Sequence, residues 1–299
     1  MHPRQNAKSF GRLLHGLAHL KKPVLELPPN EGISVLYFFL ENPMENNLSR
    51  ALASKKVLPK ILPRSFLQIE NFCSADKCAH WSRVIKEQQI NWRACPGVPN
   101  LFFFGNNWFS TTSGSTPEIY FSQAQEAQQL VDSQLPDFKE TFIESHKFLT
   151  GPDPTIQYPA RPRSQNLNQS WCEVGIDILT SSDRDCRHWD HAGLSPYPSS
   201  LNDSKTFAYT AILSIETPEM GAGLEIWNEI ASPGQDLSKL SDETRQILKY
   251  QAGTLTLIDA FLPHGAESGL HSPQKPYRIV GIIHYLFLTK PYPHWEYWY

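Results

Sequence analysis

A series of short β-like runs with almost no helix between them constrains this chain most. The runs are Trp171 to Leu179, Thr206 to Ile215, Gly223 to Trp227, Gly253 to Asp259 and Tyr277 to Thr289, with turn residues separating them. Parallel βαβ units need a helix-length crossover between consecutive strands, and that is missing here. The pattern therefore predicts a sandwich or jelly roll. One helical excursion is expected at Leu237 to Gln251, where Ser241 precedes Asp242 and Glu243 as an N-cap followed by first-turn acids. It reads as surface decoration or as a lid over a site.

The first half is mixed. Phe10, Leu13, Leu14, Leu17 and Leu20 follow the spacing of an amphipathic helix that either packs on the domain body or lies on a membrane surface, and Ile33 to Leu40 reads as a strand. Leu62 to Phe72 reads as a second strand, followed by a helix capped by Ser74 and running to about Gln89. Gln123 to Leu149 is helical, with a break at Pro136. The fold class is mainly β with flanking helices. It comprises an N-terminal helix and strand extension over residues 1–60 and a jelly-roll domain over 61–299, with its core at about 165–290.

Composition excludes several functions. Lys and Arg number 27 against 30 Asp and Glu, so no basic field exists to neutralise phosphates, and nucleic acid is not an expected partner. The longest apolar run has eight residues, far short of the roughly 20 that span a bilayer. No secretion signal is evident at the N-terminus. The five cysteines contain no C-x-x-C pair, and their odd number argues against a complete disulfide framework. A reducing, cytoplasmic setting is the expectation.

The residues that carry chemistry lie in the β-rich half. In His188-Trp189-Asp190, a strand directs both outer side chains to one face. Chance gives about one His-x-Asp/Glu from 11 histidines and 30 acids, and the chain has two. The other, His294-Trp295-Glu296, has no histidine after it and reads as structural. Downstream of His188, the apolar run from Gly253 ends in His264, and Arg278 follows 14 residues later at the start of another apolar run. Two imidazoles and one carboxylate on one face of a metal leave three positions open, the facial triad of non-heme Fe(II) oxygenases. A guanidinium then suits the far carboxylate of a dicarboxylic cosubstrate, which it can grip through two parallel hydrogen bonds. His191, Trp189, His271 and His284 read as structural, while Trp108, Tyr197 and Trp227 are either pocket-lining or core.

This set resembles the Fe(II)/2-oxoglutarate-dependent dioxygenases, whose pattern is His-x-Asp, a distal His and a following Arg. The resemblance covers roughly Trp171 to Leu288 and includes Gly223-Leu-Glu-Ile and Ala252-Gly253-Thr-Leu. It implies a double-stranded β-helix with His188, Asp190 and His264 as iron ligands, Arg278 on the distal carboxylate of 2-oxoglutarate, and O2 as oxidant. The implied activity is hydroxylation, desaturation or epoxidation at an unactivated C–H bond of a small molecule, an amino acid or specialised metabolite. A peptide or protein substrate, or a non-catalytic metal- or ligand-binding jelly roll, is the alternative. Many members carry a serine two residues after the arginine, whereas this chain has Val280, so the carboxylate needs another anchor. Tyr209 and Thr210, on the strand expected to face Arg278, are the candidates. Asp190 disfavours halogenation, because halogenases of the family replace this carboxylate with a small residue.

Overall fold

The computed structural model describes residues 35–39, 66–96, 98–108, 116–150, 157–162, 164–166, 169–180, 187–190, 207–221, 223–227, 236–288 and 294–299. The expected helix at residues 10–20 lies outside these, as do His191 and Tyr197. In chain order the strands are β1 (Val35–Phe39), β2 (Phe66–Glu70), β3 (Arg93–Ala94), β4 (Leu101–Phe104), β5 (Gln157–Pro162), β6 (Ser164–Asn166), β7 (Gln169–Ser170), β8 (Gly175–Leu179) and β9 (Phe207–Glu216). They continue with β10 (Met220–Gly221), β11 (Leu224–Trp227), β12 (Arg245–Leu248), β13 (Leu255–Asp259), β14 (His264–Ala266), β15 (Gly269–Leu270), β16 (Arg278–Leu288) and β17 (His294–Trp298). Among the described residues, the α-helices α1 (Ala75–Glu87), α2 (Pro117–Gln134) and α3 (Phe138–Thr150) accompany them.

Two sheets form the body. The larger runs β1-β2-β13-β9-β16-β8-β4-β3, with β17 on the far part of β16 and β5 on β17; apart from β1–β2 and β17–β5, its pairings are antiparallel. The smaller has the order β12-β11-β14, and a β-bridge joins His188 to His264 on its open edge. This is the jelly roll expected from the run of short strands.

Alternation along each strand sorts side chains between two environments. On β16, Ile279, Ile283 and Tyr285 point outward into a core shared with Trp81 and Ile85 of α1, Val131 of α2 and Phe138 and Phe142 of α3. Arg278, Val280, Ile282 and His284, the alternate positions, line the cavity between the sheets. Burying each of these large apolar side chains contributes roughly 1.5–3 kcal/mol. Gly281 on the outward face lets the helix layer close down, since a Cβ there would stand 2.4 Å from the Phe138 ring.

The helices start and stop for local reasons. Ser74 caps α1 by accepting from the Lys77 N–H at 3.3 Å, and Cys78, Trp81, Ser82 and Ile85 supply its buried stripe. Thr116 caps α2 with Pro117 at its first position, and the chain breaks at Pro136 before resuming as α3. The expected helix at 237–251 is a correction. That segment forms two 3-10 turns, Leu237–Lys239 and Asp242–Thr244, and then β12. Asp236 and Ser241 do cap, but each closes a single turn, and residues 245–248 pair with β11 while Arg245 meets Glu225 at 2.9 Å. A short isolated helix is marginal, and the ladder outcompetes it.

Candidate active site

The site begins with two backbone hydrogen bonds. His188 N–H donates to the His264 carbonyl and His264 N–H to that of His188, each at 2.8 Å, which sets both imidazoles on the cavity side with ring centroids 4.4 Å apart. Asp190, two residues on, shares that face. Its Oδ1 lies 3.7 Å from His188 Nε2 and its Oδ2 3.4 Å from His264 Nε2. One ligand atom from each of the three residues falls within 4.8 Å of the others.

Hydrogen bonds around this triad prepare it for a cation. His264 Nδ1 sits 2.8 Å from the Leu262 carbonyl, which accepts only if Nδ1 carries the hydrogen, so the lone pair is on Nε2, facing Asp190. Burial pushes His264 down to about 4, favouring the neutral, ligating form. Burial acts to raise the Asp190 carboxyl, but the imidazoles of His264, His284 and His188 and the Thr210 hydroxyl outweigh it and hold the group at about 2. The Thr210 hydroxyl donates to Asp190 Oδ2. That uses its one hydrogen, so His284 Nδ1, 2.9 Å from Thr210 Oγ1, must donate in turn.

Arg278 lines the same cavity with 8% of its surface exposed, and its Nε has no hydrogen-bond partner. The guanidinium lies over the Tyr250 ring at 5.2 Å. The buried Tyr250 hydroxyl lies beside Thr256 and Arg278 without a hydrogen bond of full geometry to either. Burial pushes this phenol up to about 12 against the opposing effect of Arg278, so it is a neutral donor. Orphaned buried donors of this kind call for an acceptor.

Of the two residues expected to face Arg278, Tyr209 is absent from the site. It points to the helix side of β9, bonded to His146 Nδ1 at 2.6 Å and stacked on Tyr285 at 4.9 Å. Thr210 does enter the cavity, but its partner across the sheet is His284, six residues beyond Arg278, so it serves Asp190 instead. His284 and Trp189, read as structural, both line the cavity. Trp108 lines it as well, whereas Trp227 is buried beneath Arg187 at 4.8 Å. His294 pairs with Glu296 at 3.3 Å, both buried, as a structural reading requires. Tyr250 was missed because it falls in a segment that resembles a helix, and only a buried tyrosine before the His264 strand could have hinted at it.

The cavity holds about 280 Å³. Leu101, Phe103, Leu179, Val280 and Ile282 make much of its wall apolar, and among the described residues the charged groups on it are those above together with Arg187 and Asp177.

No family model and no curated protein sequence matches the chain. Among solved structures, an N-substituted L-amino acid dioxygenase from Burkholderia ambifaria in complex with α-ketoglutarate aligns at TM-score 0.50 and 12% identity, over 84% of this chain and 90% of that one. The chain has the fold of that dioxygenase. An α-ketoglutarate-dependent non-heme epimerase from nogalamycin biosynthesis also matches, at TM-score 0.46 and 11% identity over 79% of each chain. So does a Pseudomonas putida prolyl-4-hydroxylase, at TM-score 0.37 and 13% identity over 79% of this chain and 96% of that one. In this dioxygenase fold, the triad stands on the small sheet and Arg278 on the large one, both turned toward the cavity between them.

Proposed function

We propose that the chain is a 2-oxoglutarate-dependent non-heme iron oxygenase acting on an unactivated C–H bond of a small molecule, an amino acid or specialised metabolite. The observation that carries this reading is the convergence of the His188, Asp190 and His264 donors with the buried, unpartnered Arg278 Nε in one apolar cavity. The donor set fits Fe(II): two neutral imidazoles and a carboxylate would hold it and leave three positions open. 2-Oxoglutarate would place its distal carboxylate on Arg278, with the Tyr250 hydroxyl as the further donor that Val280 cannot supply. The iron and cosubstrate, when bound, would supply the oxidation with O2 as the oxidant, one oxygen atom going to the substrate and the other to the succinate formed with CO2 from 2-oxoglutarate.

The chain's own residues position groups and exclude water. The Leu262 carbonyl fixes the His264 tautomer, and Thr210 with His284 keeps the Asp190 carboxylate ionised and aimed. Arg278 and Tyr250 would hold one end of the dicarboxylate. The apolar wall keeps competing water away from the reacting groups.

The test is turnover of the cosubstrate. Protein supplied with Fe(II), 2-oxoglutarate and O2 is expected to release succinate, slowly when no substrate is present, and Arg278→Ala is expected to raise the 2-oxoglutarate requirement strongly. No succinate above a metal-free control refutes the reading.

A further inference from the structure

We propose that Asp177 receives a positively charged group of the substrate, so that the class accepted is an amine with an apolar body; this rests on the oxygenase reading above.

On β8 the side chains alternate, with Ile176 and Ile178 entering the core under the helices and Asp177 and Leu179 entering the cavity. Across the neighbouring strands Asp177 stands opposite Phe103 and Val280. A carboxylate within such an apolar wall is costly unless its charge is matched. Its described hydrogen bond comes from the Tyr299 hydroxyl, which donates to Oδ1 at 2.6 Å. That phenol is held in place because its ring lies on Gly175, where a Cβ would come within 1.8 Å. The Asn107 side chain also hydrogen-bonds the carboxylate, but it and Tyr299 are both neutral, so neither supplies the positive charge that a buried acid calls for.

Arg278 from β16 and His188 from the small sheet's edge face Asp177, beside the neutral Asn107 and Tyr299. The other cavity cation, Arg187, is engaged by Asp242 at 3.7 Å and by the carbonyls of Leu237 and Leu240. Once a divalent ion sits on the triad and a dicarboxylate on Arg278, the ion and the guanidinium are balanced by Asp190 and the dicarboxylate. Among the described cavity residues, Asp177 is then the negative charge left without a cation assigned to it. Burial pushes its carboxyl up to about 6, against Tyr299 and Arg278, so at pH 7.5 it is mostly ionised and an adjacent cation relieves the strain. Phe103 and Leu179 beside it supply contact for the apolar body of the amine.

The experiment titrates wild type and Asp177→Asn, each with Fe(II) and 2-oxoglutarate under anaerobic conditions at pH 7.5. The probes are two matched pairs, benzylamine with benzyl alcohol and n-hexylamine with 1-hexanol, followed through tryptophan fluorescence, since Trp108 and Trp298 line the cavity. Wild type is expected to bind each amine roughly ten- to a hundredfold more tightly than its neutral partner, the size of a charge-assisted hydrogen bond. Asp177→Asn, which keeps an acceptor for Tyr299, is expected to bring the ratio close to one, and Asp177→Glu to retain part of it. Equal binding of amine and alcohol by wild type, or an undiminished preference in Asp177→Asn, overturns the proposal. A wild-type protein with no Fe(II)-2-oxoglutarate absorption band overturns the oxygenase reading and this proposal with it, whereas a band without amine preference overturns this proposal alone.

Discussion

Thr210→Val removes a hydroxyl and keeps the shape, which makes it a sharp probe of how the metal carboxylate is held. In the wild type the hydroxyl donates to Asp190 Oδ2 and accepts from His284 Nδ1 at 2.9 Å. The substitution deletes a hydrogen bond to a charged acceptor, worth about 1.5–3 kcal/mol, and strands the His284 N–H in a largely buried place. A partner of this kind supports metal affinity by about 10- to 100-fold, which at about 1.4 kcal/mol per decade agrees with the hydrogen-bond figure. The assay is a Co(II) titration followed by the d–d absorption of the bound ion, with the thermal midpoint measured alongside. The expected result is Co(II) affinity lower by one to two decades in Thr210→Val and mostly recovered in Thr210→Ser. Unchanged affinity in a folded Thr210→Val protein refutes the idea that this hydroxyl orients Asp190.

Other expectations follow from the same geometry. Tyr250→Phe should raise the 2-oxoglutarate Kd by about tenfold while leaving Co(II) affinity alone, because it removes one donor to the distal carboxylate; equilibrium titration decides, and unaltered binding would return the second anchor to another residue. His146 is buried among Tyr209, Tyr285 and Trp295, and desolvation pushes it down to about 3 from an ordinary value near 6.5. The folded state therefore keeps it neutral while the unfolded chain takes up a proton below about pH 6.5. Its contribution to stability is full above that pH and falls away toward pH 3, by up to about 1.4 kcal/mol per pH unit. Urea melts at pH 7.5, 5.5 and 4.5 should show a shallower acid loss in His146→Phe, and parallel curves would contradict the assignment. Gly281→Ala should destabilise by about 1–3 kcal/mol, since the new methyl meets the Phe138 ring at 2.4 Å; a thermal midpoint at the wild-type value would show that α3 yields more easily than this packing suggests.

What could be read from the residues divides along the range of the interactions. Alternation in β16 and the turn residues between runs are local, and they are enough to place most of the strands; the spacing of His188, Asp190, His264 and Arg278 singles out four residues that the fold brings to one cavity. Register is not local. Whether Tyr209 or Thr210 faces the cavity depends on a one-residue choice of pairing with β13 and β16, and that choice separates a hydroxyl on Asp190 from one stacked under the helices. His284 looked like an ordinary strand histidine because its partner, Thr210, lies 74 residues away in the chain. The 237–251 segment carries sound capping signals, yet the partner that makes 245–248 a strand is β11, again distant in sequence. Asp177 and Tyr299, separated by 122 residues, meet because β17 lies beside β16 and the residue that follows it, Tyr299, donates its backbone N–H to the Cys172 carbonyl and lays its ring on Gly175.

The central claim is that His188, Asp190, His264 and Arg278 form one site for Fe(II) and a chelating 2-oxo acid. Its most direct test is the visible absorption of the anaerobic protein titrated with Fe(II) and 2-oxoglutarate. A metal-to-ligand charge-transfer band is expected in the wild type, lost in Asp190→Ala and in His264→Ala, and shifted to much higher 2-oxoglutarate concentration in Arg278→Ala. A wild-type protein that shows no band, or an Asp190→Ala variant that keeps it, would contradict the account.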